Sequence, residues 1–173
     1  MRKLLFIMSL VITTNTIAQK IVEDKIDQYD GTRMIETNTQ RFGNNLQFHI
    51  IGYIFKKENN IDTSLRLIFY FRPVSVTSLN RSQKLIFTFN DSTILSLEYS
   101  GSYQRKSSEE LMYSACLMSG AMLEKLKTNT ITEVRLETTN HFCDFEIPFQ
   151  YQKLIPESVE LVMNKIKHNL SSQ

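Results

Sequence analysis

From Leu46 to Phe71, apolar residues recur at every second position on either side of one short polar stretch. Leu46, Phe48, Ile50, Gly52 and Ile54 fall on one face, and Leu65, Leu67, Phe69 and Phe71 on another. Successive side chains of a strand point to opposite faces, so this period of two demands half-buried strands and is incompatible with a helix. Lys56 to Asn60 are polar and read as the turn of a hairpin. Pro73 ends the pattern, because proline cannot donate to a strand ladder. Ile51, Tyr53, Phe55, Ile68 and Tyr70 make the opposite faces partly apolar as well. That second face is therefore expected to have a cover of its own.

Two further hairpins follow the same logic. Leu85, Phe87 and Phe89 share a side, Asn90-Asp91-Ser92 supplies turn residues, and Thr93, Leu95, Leu97 and Tyr99 resume the alternation. Residues 131–138 and 142–149 are joined through Thr139-Asn140-His141, with Val134, Leu136, Phe145 and Ile147 marking the inner face. Asp30-Gly31 is another hairpin turn. Its flanks are polar and rich in Thr, which suits a sheet edge, where charged residues discourage pairing with other chains.

Helical patterns are few. Ser119 to Lys127 predict a short helix ending near Asn129. Residues 156–169 predict an amphipathic one. There Pro156 suits the first turn, and Val159, Val162, Met163, Ile166 and Leu170 line one face. Glu157 near its start and Lys165, Lys167 and His168 near its end match the helix dipole. This helix is the natural cover for the second sheet face. Strands first and helix last predict an α+β, mainly antiparallel β fold. The core is expected to be a curved sheet, or sandwich- or barrel-like, built from several hairpins with a C-terminal amphipathic helix.

The N-terminus carries an address. Arg2 and Lys3 precede a short apolar run, Leu4 to Ile12, and Thr16-Ile17-Ala18 places small residues at a cleavage site. A charged n-region, short h-region and small-residue cut make a secretory signal peptide, expected over residues 1–18. The run is too short for a spanning helix, which needs about 20 apolar residues. Residues 19–173 then form one domain, exported to the periplasm or the extracellular space. The whole chain holds 20 basic and 18 acidic side chains, and loss of Arg2 and Lys3 makes the mature domain even. An even charge argues against a nucleic-acid partner, whose binding rests on excess Lys and Arg.

Chemistry is sparse in the remainder. The chain contains no G-x-S-x-G, H-E-x-x-H, Walker A, G-x-G-x-x-G or C-x-x-C motif. His141 and Cys143, two apart on a strand, point to one side and are candidate metal ligands, with Cys116, His49 or a carboxylate needed to complete a site. Cys116 and Cys143 are either a disulfide or two separate buried thiols. A bridge between them would stabilise the fold by roughly 3.5 kcal/mol in the chain-entropy model. His49, opposite Phe48, reads as a solvent or boundary residue, and His168 as a helix-dipole partner. Glu109-Glu110 and Asp144 with Glu146 read as solvated charges. Tyr99, Tyr103 and Tyr113 could line a sugar-binding face, though the chain has no Trp. Asn80, Asn90 and Asn169 each begin a glycosylation sequon.

Leu85-Ile86-Phe87-Thr88-Phe89-Asn90-Asp91-Ser92 resembles the strand and turn of small uncharacterised exported proteins of Gram-negative bacteria. So do Met122-Leu123-Glu124-Lys125-Leu126 and Ile131-Thr132-Glu133-Val134-Arg135-Leu136, and Ile17-Ala18-Gln19-Lys20 resembles the ends of their export signals. The resemblance implies an exported domain and carries no catalytic residue. The expectation is a non-catalytic binding or assembly module acting on an envelope or extracellular protein, with no cofactor. A carrier of a small apolar ligand or lipid is the alternative, and a small hydrolase the third.

Overall fold

The alternating stretch forms the longest hairpin, β4 (Leu46–Lys57) with β5 (Asn60–Phe71). Pairing continues to Lys57 opposite Asn60, so the strands run into the polar stretch expected to be turn. The computed structural model describes residues 19–42, 46–57, 60–71, 83–98, 104–106, 111–137 and 142–172. The side chains of residues 57, 71, 104–106 and 111–118 are outside that description, as is the expected signal peptide.

Around this hairpin stand β1 (Ile21–Ile26), β2 (Arg33–Thr37), β3 (Gln40–Phe42), β8 (Gln104–Lys106) and β9 (Leu111–Met118). They build a seven-stranded antiparallel sheet in the order β1-β2-β4-β5-β9-β8, with β3 also on β4. The hairpin at Asp30-Gly31 is indeed at the edge, and Gly31 takes φ +70, which glycine adopts without penalty. A second sheet of four strands runs β11-β10-β6-β7. Its members are β6 (Lys84–Phe89), β7 (Ile94–Glu98), β10 (Ile131–Glu137) and β11 (Phe142–Glu146). Neither sheet closes into a barrel among the described strands. Two helices complete the α+β fold, α1 (Gly120–Thr128) and α2 (Leu154–Ser171).

The core lies between the even-numbered face of β4 and the second sheet. Phe48 meets Phe69 at 6.0 Å between ring centroids, and Phe69 meets Phe87 at 5.8 Å. Phe42 stacks on Phe48 at 5.0 Å and touches Tyr151, in the turn before α2, at 6.0 Å. Leu85, Phe89, Val134 and Leu136 are buried with them. Each such side chain stabilises the fold by about 1.5–3 kcal/mol on burial.

Helix α2 corrects one expectation. It covers the face that carries Phe48, and leaves the opposite face to other groups. Val162 and Ile166 sit directly above Gly52, which lies on the Phe48 face. The reason is in the pattern: the second sheet covers β5 through Phe69, while Gly52 leaves a shallow place over β4 that a helix can enter. Val159, Val162 and Ile166 are buried there. An ion cluster fixes the same seat from the sheet edge. Arg33 grips Asp24 through two hydrogen bonds of 2.6 and 2.9 Å, and Lys165 Nζ of the helix lies 3.1 Å from Asp24 Oδ2. The helix is longer than the 156–169 expected. Pro156 still falls in its first turn, where no backbone donor is needed.

Candidate functional site

With α2 and the second sheet both on the Phe48 face, the other face of the large sheet is built from odd-numbered β4 residues and their neighbours. Ile51, Tyr53 and Phe55 follow one another along β4 by the strand's alternation. Tyr53 and Phe55 stack, with centroids 5.8 Å apart and planes 14° from parallel. The Arg66 guanidinium of β5 lies 5.3 Å from the centre of the Tyr53 ring, a cation–π contact from an exposed arginine. Ile68 extends the surface along β5, and Met34 flanks Tyr53 from β2. Tyr53, Phe55, Ile68 and Met34 are each half-buried. The result is a broad aromatic and aliphatic platform with one guanidinium on it.

The margin of this platform is polar. Glu36 stands across from Ile51. Burial, and then the charge of Glu23, hold its carboxyl above the usual range. His49, expected at solvent or a boundary, is instead buried, at 5% exposure. Its ring packs edge-on against Tyr70 at 5.3 Å. His49 Nδ1 lies 3.4 Å from Thr39 Oγ1 and 3.7 Å from Glu36 Oε1. A hydroxyl–imidazole–carboxylate relay needs the two partners on different ring nitrogens. Here Nδ1 faces both Thr39 and Glu36, so these two partners do not sit on opposite sides of the ring.

Of the residues singled out from sequence, only some are among the described residues. His141 lies outside the described residues, as do Glu109, Glu110, Tyr99, Tyr103 and Asn80. Cys143 packs against the core from the inner face of the second sheet, as its alternation with Phe145 requires. Its thiol is free, and burial, then the Asp144 charge, raise its pKa. Cys116 sits on β9 opposite Leu67, and its side chain lies outside the described residues, as does that of Tyr113. Asp144 is held by Arg135 through bonds of 2.6 and 2.9 Å, and Glu146 is exposed opposite Glu133. His168 is exposed in the last turns of α2. Asn90 is exposed in a turn, whereas Asn169 is buried at 4% exposure and closed to glycosylation in the folded chain. Among the described residues no three His, Cys, Asp or Glu side chains are grouped to hold a metal ion.

The platform itself was visible in the sequence only as a partly apolar second face. The pairing of Tyr53 with Phe55 follows from alternation, but the placement of Arg66 needs the register Ile51 opposite Arg66. Among the described residues, no helix is long and apolar enough to cross a membrane. In comparisons with known proteins the chain matches no family model, no curated protein and no solved structure.

Proposed function

We propose that this chain is an exported, non-catalytic binding or assembly module that engages an envelope or extracellular protein through the outer face of its large sheet. One observation carries the reading: Tyr53, Phe55 and Arg66 form a stacked, half-exposed group on the face opposite both α2 and the second sheet. Aromatic and arginine side chains are the types enriched where proteins bind one another. The signal-peptide pattern and the even charge of the mature domain support an extracytoplasmic protein partner over nucleic acid. The carrier reading asks for an apolar cavity, and the space between the sheets is occupied by the rings of Phe48, Phe69 and Phe87.

The test compares the parent with a Tyr53→Ala, Phe55→Ala double variant as baits in the envelope fraction of the host. The module reading expects both to fold and only the parent to retain a partner in stoichiometric amount. Equal retention by both baits, or a co-purified lipid with no protein, contradicts it.

A further inference from the structure

We infer that a second copy of this chain pairs with the first through β1, edge to edge and antiparallel about Asp24. The inference uses a different surface from the platform and does not rest on that reading. Among the described residues β1 has a ladder partner on one side only, β2. Asp27 N donates to Thr32 O at 2.8 Å, and hydrogen-bonded pairs alternate along an antiparallel ladder. Lys25 and Glu23, opposite Met34 and Glu36, therefore turn their backbone groups toward β2, whereas Asp24 and Ile26 turn theirs away from it. Val22 and Ile26 are apolar and β-branched, yet 53% and 59% exposed on this open edge.

Charges on an edge strand ordinarily keep other chains off. In Val22-Glu23-Asp24-Lys25-Ile26 their order instead matches the strand to itself. With Asp24 opposite the partner's Asp24, Glu23 faces the partner's Lys25, and Lys25 faces the partner's Glu23. Val22 and Ile26 meet across the same pair. Opposite charges and apolar side chains directly across two strands both stabilise their pairing. Asp24 also brings an outward-turned backbone onto an outward-turned backbone, as a ladder requires. Its carboxylates do not repel unopposed, because Arg33 and Lys165 hold each of them. Centring on Lys25 would instead set Lys25 against Lys25 and Glu23 against Asp27, like charge on like. The β1 register slips between Ile21 and Glu23, which keeps the self-pairing short. A two-fold pairing of one edge with itself closes as a dimer and does not grow into a filament. Residues directly opposite share a face, so both copies present Tyr53, Phe55 and Arg66 on the same side of the joined sheet, and a partner with two epitopes could engage both.

The experiment expresses the chain from Met1, purifies it in the form its host leaves, and reads its mass by sedimentation equilibrium over a concentration series at low and high salt. The parent is expected to reach twice the chain mass, less readily at high salt, which screens exposed charges. Glu23→Lys and Lys25→Glu each set like charges across the pair, so each alone should stay monomeric. Mixed together, the two variants should form a dimer, because each supplies the charges that the other lacks. Ile26→Asp alters an exposed side chain and should be monomeric while keeping the parent's circular dichroism. A parent that is monomeric throughout, single variants that dimerise as the parent does, or a mixture that stays monomeric overturns the inference. So does a different protein bound at β1 in place of the second copy. The platform reading survives each of these results.

Discussion

Gly52 lies so close beneath Val162 that a Cβ on it would stand 2.6 Å from Val162 Cγ1, and 3.0 Å from Ile166 Cδ1. Val162 is β-branched and fully buried, so it has little freedom to turn away. Gly52→Ala should therefore overpack the seat of α2 and cost about 1–3 kcal/mol. The double variant Gly52→Ala, Val162→Ala should lose less than the sum of its two single variants, because the second change makes room for the first. Urea melts of the four proteins check this. Strict additivity would place α2 elsewhere.

Ile166 is buried on the same seat, so Ile166→Ala should cost about 2–5 kcal/mol, and Ile166→Asp more, through an unpaired buried charge. Lys165 looks like a surface lysine in the sequence, yet its Nζ reaches Asp24. Lys165→Ala should cost about 0.5–1 kcal/mol, the range of a partly exposed ion pair. Lys167→Ala, exposed on the same helix, should stay within about 0.5 kcal/mol. Denaturant melts of the four variants distinguish these sites.

Acid should loosen the same corner of the fold. The hydrogen bonds of Arg33, with help from Lys165, lower the Asp24 pKa from 3.8 to about 2. A carboxyl whose folded pKa is depressed stabilises the fold above its unfolded pKa and loses that contribution as pH falls through the folded value. Asp24 should thus support stability fully above pH 3.8 and lose its contribution as pH falls to about 2. Discounted for solvent screening, the loss is about 1 kcal/mol. Asp24→Asn should flatten that part of the stability–pH curve, read by thermal melts across the window. An unchanged slope would remove Asp24 from the account.

Cys143 should be a slow thiol. Its pKa is raised by burial and by Asp144, and the thiolate is the reactive form. Alkylation of the native protein at mildly alkaline pH should run well below the rate of the urea-unfolded chain at that residue. Equal rates would mean that Cys143 does not pack against the core.

Local chemistry made most of the fold legible. The β4–β5 hairpin, the turn at Asn90 to Ser92, and α1 with Ser119 as its N-cap all follow from period, turn residues and capping. Ser92 takes φ 63, the unusual backbone angle expected of that turn. β9 was missed, because Ser114, Ala115 and Cys116 interrupt any alternation of large apolar residues, and the strand is defined by its pairing with β5. The face chosen by α2 was missed for a similar reason. A partly apolar face in sequence does not say which of two faces a helix will take, and the absent Cβ of Gly52 settles it only in three dimensions. For the candidate site, Tyr53 and Phe55 were legible as neighbours on one face, whereas Arg66 over Tyr53 and the burial of His49 against Tyr70 depend on strand register.

The outer platform is the centre of this account, and site-specific photo-crosslinking in the host tests it most directly. A photoreactive phenylalanine analogue would replace Phe55 on the platform or, as a control, Phe142, which is 63% exposed on the second sheet. A discrete adduct in the envelope fraction at position 55, absent at position 142 and lost on adding Arg66→Ala and Tyr53→Ala, is the predicted result. Adducts of equal yield at both positions, or none at position 55 in correctly exported protein, would contradict it.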